Sequence, residues 1–183
     1  MSKTKSNKSS KKLSKPTKTI DTLIPDIYAL FENGKDLSDE SLGSFTQALA
    51  KTLKDRFKSY GEPERKTLRL SNIGKNPLQL WYDINGTHET EKLTGQDRFK
   101  FLYGDIIELL VLFLAREAGH SVEDEQKEVE VDGVKGHIDG LIDGELIDVK
   151  SASTFALNKF SDEVSLRTSD SFGYIEQIDR KST

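Results

Sequence analysis

The sequence predicts an α+β (α/β) fold in which helices lead and a small antiparallel meander follows. Three observations predict it. Apolar residues recur at helical spacing over two long segments, roughly 38–61 and 95–118. Downstream, three short alternating runs are separated by Asp132-Gly133 and Asp143-Gly144, a dipeptide that tolerates the positive φ angles of a two-residue hairpin loop. The chain has 183 residues, of which 34% are hydrophobic and 32% charged, which suits one polar domain with room for a real core.

Composition excludes several classes. No apolar run approaches the roughly 20 residues of a membrane span, and the longest, 106–115, is broken by Glu108. The lysine-rich start leads into no apolar segment, so it does not read as a secretory signal. The absence of cysteine rules out disulfides, thiolate zinc sites and an iron–sulfur cluster. A cytoplasmic protein with no membrane partner is the default expectation.

The elements follow in order. Residues 1–18 carry seven Lys and no acid, so the remainder sits at −11 although the whole chain is at −4. Such a segment cannot build a core and is expected to be a disordered tail. It reads either as a salt-sensitive phosphate tether or as a solubilising extension. An N-terminal helical region, 19–64, comes next. Asp21 caps a short helix with Pro25 in its first turn, ended by Asn33-Gly34. Ser38 or Ser41 opens a longer one in which Leu42, Phe45, Leu49, Leu53 and Phe57 form a core stripe, stopped by Gly61-Glu62-Pro63. The segment 68–82 is irregular and mixes Arg69, Ser71, Gly74, Lys75 and Pro77 with Trp81 and Tyr82. A second strong helix runs from Gly95 to about Ala118, with Gly119 as its stop. Strands are expected over 125–131, 134–142 and 145–151. A loop rich in Ser, Thr and Asp then leads to a final helix beginning near Phe172.

The hairpin about Asp143-Gly144 concentrates the chemistry. Counting outward from the turn, Ile142 faces Glu145, Asp139 faces Asp148, and His137 faces Lys150. Alternation puts Ile138, Ile142, Ile147 and Val149 on one face and His137, Asp139, Asp148 and Lys150 on the other. Asp139 and Asp148 would form the closer, non-hydrogen-bonded kind of pair, about 4.5 Å between Cα atoms. Like charges so placed destabilise a sheet, and a divalent cation would offset them. A merely charged, solvated strand face is the bland alternative. Glu108 tips the balance, being the one charge in an apolar helix that should be buried. A buried carboxylate protonates, pairs or binds a metal. Its alternative is a buried salt bridge, for instance to Lys150. With Glu108, Asp139 and Asp148 together, oxygen-only ligands favour Mg²⁺ or Mn²⁺ over zinc. Beside such an ion the Lys150 ammonium would orient water or stabilise a phosphorane-like transition state. The inventory fits metal-assisted phosphodiester hydrolysis.

These residues resemble a known family. The stretches 68–75 with Leu80-Trp81-Tyr82, Gly104 with Glu108, Gly136-His137-Ile138-Asp139-Gly140, and Ile147-Asp148-Val149-Lys150-Ser151 look like the PD-(D/E)XK nuclease superfamily. In detail they resemble its RecB-like phage exonuclease branch, related to CRISPR-adaptation nucleases but without the iron–sulfur cysteines. The resemblance implies a restriction-endonuclease-like core over 65–183: a helix, a three-stranded meander and a further helix. It implies Glu108, Asp139 and Asp148 as metal ligands with the Val149 carbonyl, and Lys150 as the catalytic lysine. It also implies Arg69, Ser71, Lys75, His137 and Gln177 as DNA contacts. The alternatives are a structural loop with Trp81 and Tyr82 in the core, and His137 as a plain strand residue. The implied activity is a Mg²⁺- or Mn²⁺-dependent DNA exonuclease in phage recombination or genome processing, acting in the bacterial host with DNA and a recombination protein as partners. A structure-specific endonuclease and a non-catalytic nucleic-acid-binding module are the competing readings. The branch usually places a Tyr four residues after the Gln, where this chain has Lys181, and a strand after that helix, so the core is expected to be C-terminally incomplete.

Overall fold

The computed structural model describes residues 18–58, 67–86, 93–151, 164 and 174–182. The basic tail up to residue 17, the stop at Gly61-Glu62-Pro63 and the segment holding Phe172 lie outside the described residues.

The N-terminal helices form near their signals, but Asp21, expected to cap the first, lies inside a 3₁₀ turn, and Thr22 precedes the helix without a side-chain cap bond. A single 3₁₀ turn, Ile20–Thr22, leads into α1, Leu23–Asn33, which stops at Gly34. Ser38 accepts a hydrogen bond from the Ser41 N–H and opens α2, Asp39–Lys58, as a capping serine should. Both helices pack on α4, Gly95–Glu117, whose Thr94 cap and Asp97 form a reciprocal capping box. Phe45 of α2 meets Phe113 of α4 with ring centroids 4.7 Å apart. Lys35, at 2.8 Å, and Ser41 both hold the Glu117 carboxylate at the end of α4. The expected α2 stripe is only partly core, because Leu42 and Phe57 are exposed.

The segment 68–82 is more regular than its composition suggests. A 3₁₀ turn, Leu70–Asn72, is followed by α3, Pro77–Asn85. Asn76 caps α3 by accepting from the Leu78 N–H, and Pro77 occupies the first helical position, where a missing N–H costs nothing. Trp81 and Tyr82, offered above as core residues, are 55% and 50% exposed and meet edge to face instead.

The fold is mixed helix and antiparallel sheet, as expected, but the meander is not three continuous strands. Five short strands form two sheets among the described residues: β1 (Val122–Glu123), β4 (Gly140–Ile142) and β5 (Glu145–Ile147) in one, and β2 (Glu128–Val131) with β3 (Val134–His137) in the other. The expected strand over 134–142 is therefore divided at Ile138-Asp139. Its physical cause is visible in the register. Glu123 pairs with Leu141 and Glu128 with His137, so four residues, 124–127, oppose three, 138–140. That is a one-residue bulge, and Asp124 and Gln126 take φ of 52° within it. The N–H of Ile138 still donates to the Lys127 carbonyl at 3.1 Å, so the two sheets remain one bent ribbon.

Both Asp-Gly turns have positive φ at each residue, 51° and 78° at the first and 52° and 86° at the second, as type I′ loops require. The second is also tied to the end of α4. Asp143 accepts from the Ser121 N–H at 3.0 Å and meets Nδ1 of the buried His120 at 2.6 Å, while Asp26 of α1 lies 3.3 Å from the other ring nitrogen. The core between helix and sheet is Leu112, Ala115 and Ile142, flanked by Ile20, Leu23, Val122 and Ile147. The last helix, α5 (Tyr174–Lys181), lies against the Leu70–Asn72 turn and β2.

One close approach sets a stability test. A Cβ at Gly136 would lie 2.6 Å from the Cβ of Leu70, which is wholly buried. Overpacking of this kind costs about 1–3 kcal/mol, so Gly136→Ala should lower the urea midpoint by a corresponding amount. An unchanged midpoint would show that the Leu70 turn moves aside without cost.

Candidate active site

The structure brings the expected acids and Lys150 to one place, but it groups them differently from a three-carboxylate cluster. Pairing in the β4–β5 hairpin matches the expected count, with Ile142 opposite Glu145 and Gly140 opposite Ile147. It stops there, one step before Asp139 and Asp148. The Asp139 carboxylate instead accepts the Val149 N–H at 2.7 Å. Asp139 thus bridges the two chain segments beyond the last ladder pair. His137, expected to face Lys150, pairs instead with Glu128 in the other sheet and is exposed.

Glu108 comes from α4, one turn before the core residue Leu112. It is half-buried rather than enclosed, and Gln126 donates a hydrogen bond to its Oε1. Burial, and then repulsion from Asp139, push its pKa up from 4.5 to about 7 against that hydrogen bond. Asp139 is also raised, chiefly by burial, with the Val149 N–H opposing and Asp148 adding repulsion. These two acids therefore form a mutually repelling carboxylate pair.

Asp148 behaves differently. Burial alone would raise it, but the ammonium groups of Lys150 and Lys181 outweigh that and hold it below the usual carboxylate range. Lys150 lies 2.8 Å from Oδ2 and Lys181 3.1 Å from Oδ1, so each carboxylate oxygen has its own cation. Lys181 is the last residue of α5 and stands where the family resemblance expected a tyrosine. The salt bridge considered above for Glu108 with Lys150 is made by Asp148 instead.

The remaining expected residues divide. Arg69, Ser71 and Lys75 are exposed, Arg69 in a single parallel bridge with Lys135 and Lys75 paired to Asp83 at 3.0 Å. Gln177, expected at DNA, is only 6% exposed and lies on α5 within the packed body. The Val149 N–H, rather than its carbonyl, is the backbone group engaged by Asp139.

Sequence reading missed Gln126, which reaches Glu108 only because the bulge turns it there. The run Glu123-Asp124-Glu125-Gln126, with no apolar alternation, was the available signal that the strand breaks. It also missed Arg56, whose bidentate pairing with Asp105, including Nη2 to Oδ1 at 2.6 Å, anchors α2 one turn from Glu108. No protein-family model, curated protein or solved structure matches the chain.

The donor chemistry suits a hard cation in part. Glu108 and Asp139 are two carboxylates that repel each other, and an ion between them would relieve that repulsion. No three His, Cys, Asp or Glu side chains converge into a metal-holding group among the described residues, because Asp148 is turned to its two lysines.

A pH test follows from Glu108. Its folded pKa of about 7 lies above the unfolded 4.5, so the native state holds that proton longer. Its contribution to stability is fully present below the unfolded value and is lost as pH rises through the folded one. In chelator, wild-type melting temperature should fall between about pH 5 and pH 8, and Glu108→Gln should flatten that slope. Parallel slopes in the two proteins would place the shift elsewhere.

Proposed function

We propose that the chain is a Mg²⁺- or Mn²⁺-dependent deoxyribonuclease that hydrolyses phosphodiester bonds, acting as an exonuclease. One observation carries the reading: the repelling Glu108–Asp139 pair sits beside the Asp148–Lys150 ion pair, so anionic ligands and a cation able to meet phosphate share one site. Glu108 and Asp139 would hold the ion, with Asp148 joining them. When bound, the ion supplies Lewis acidity at the phosphoryl group and acidifies water. Asp148 orients Lys150, whose side chain is 37% exposed and so reaches substrate. The Lys150 ammonium then stabilises the negative charge that builds on the phosphoryl oxygens. The half-exposed Trp81 and Tyr82, on the same helix as Asp83 of the Lys75–Asp83 pair, supply aromatic faces suited to unpaired bases. DNA is the partner on this reading, and phage recombination or genome processing is its setting.

A second reading is favoured by the double ion pair on Asp148: a nucleic-acid-binding module that keeps the site without catalysis. DNA binding in chelator with no products after long incubation in Mn²⁺ would select it.

Lys150→Ala and Asp148→Asn should each lower Mn²⁺-dependent hydrolysis by about 10²–10³-fold, the usual effect of removing a charge-stabilising group. Far-UV circular dichroism checks that each variant folds. Unchanged hydrolysis in both sinks the proposal, and end-labelled linear against closed circular DNA separates exonuclease from endonuclease action.

A further inference from the structure

Lys181 is not accounted for by the proposed chemistry. Its side chain is 6% exposed and the Asp148 side chain 5%, so the two are buried against each other at 3.1 Å. A lysine so enclosed is rare unless it is paired. Asp148 already has Lys150 at 2.8 Å on its other oxygen. One ammonium would satisfy one buried carboxylate, yet here there are two. The second comes from α5, about thirty residues further along the chain, so the contact depends on where that helix docks.

We propose that Lys181 is a positioning residue that holds Asp148 away from the Glu108–Asp139 pair and competes with a divalent cation for its Oδ1. This inference rests on the nuclease reading of the site. The ammonium and a cation at the same oxygen repel each other, so each weakens the other's hold on it. In its place Lys181 balances the Asp148 charge, and a cation at Oδ1 works against that ammonium. The docking of α5 therefore sets how readily the three acids can act together. The consequence is a cation affinity below what the three acids would otherwise give.

The size of the effect follows from proton competition at similar sites. A cationic neighbour changes a carboxylate's affinity for a proton by about one to three powers of ten. Lys181→Met should therefore tighten Mn²⁺ binding by about tenfold or more, read as free Mn²⁺ by electron paramagnetic resonance. Lys181→Arg, which keeps the charge, should stay near the wild-type affinity. A purely structural lysine predicts the opposite, weaker binding in Lys181→Met as the site loosens.

Equal or weaker binding by folded Lys181→Met, with Mn²⁺ bound by wild type and lost in Asp139→Asn, overturns the role of Lys181 and leaves the nuclease reading standing. Absence of Mn²⁺ binding in wild type and every variant overturns both. If Lys181→Met does not fold, the competition is read in the wild-type protein. Saturating Mg²⁺ should shift the Lys181 ammonium ¹⁵N resonance and speed its hydrogen exchange, whereas an unmoved resonance overturns the proposal.

Discussion

The packing of α4 on the β4–β5 hairpin is the constraint from which the site follows. Leu112 and Ala115 are buried against Ile142, and a Cβ placed on Gly140 would touch Leu112. That contact fixes the height of the helix along the hairpin. Glu108, one turn upstream of Leu112, is thereby carried to the end where Asp139 and Asp148 leave the ladder. The His120–Asp143 contact at 2.6 Å fixes the other end, joining the exit of α4 to the Asp143-Gly144 turn. With both ends of the hairpin tied to one helix, neither register nor height can slip, and a one-residue slip would turn every side chain to the wrong face.

The bulge supplies what regular pairing could not. Ile138 and Ile142 stay buried while Asp139 is half-buried, and beyond the last ladder pair Asp139 meets both the Val149 N–H and the field of Glu108. Four residues of the partner segment opposing three bend the ribbon at this point. The same irregularity aims Gln126 at Glu108. Bulges recur beside functional sites because they re-aim single side chains without dissolving the sheet. Here the bulged segment supplies the Gln126 contact to Glu108.

What could be read beforehand was local chemistry. The Asp-Gly turns, the Ser38 cap, the Gly95 helix and the hairpin count from Ile142 to Glu145 are set by neighbours in sequence, and each stands in the structure. The failures are non-local. Alternation within 134–142 itself gave no warning that it would divide, since the extra residue lies in the partner segment, where the unalternating run 123–126 carried the signal. The core placement of Trp81 and Tyr82, one of two alternatives for their segment, fails because the Asn76 cap and Pro77 start a separate helix that leaves them at the surface. The partition of the acids depended on Lys181, which no spacing rule links to Asp148. A tertiary ion pair across 33 residues leaves no trace in periodicity.

The charge balance explains why that partition matters on the proposed reading. With Glu108 protonated near its pKa of about 7, Asp139 and Asp148 face Lys150 and Lys181, and the site is close to neutral. It then neither attracts a cation strongly nor repels one. Loss of the Glu108 proton leaves three carboxylates against two ammoniums, and a divalent ion added to that set turns the local charge positive. A positive, partly dry site attracts phosphate, whereas the uncompensated acids would repel it. The two lysines and the raised Glu108 thus keep the metal-free protein from burying a net negative charge, a state that costs several kcal/mol per unpaired ion. On the proposed reading the same arrangement would make attraction of a polyanion conditional on the cation, and one set of five side chains would serve both stability without metal and recognition with it.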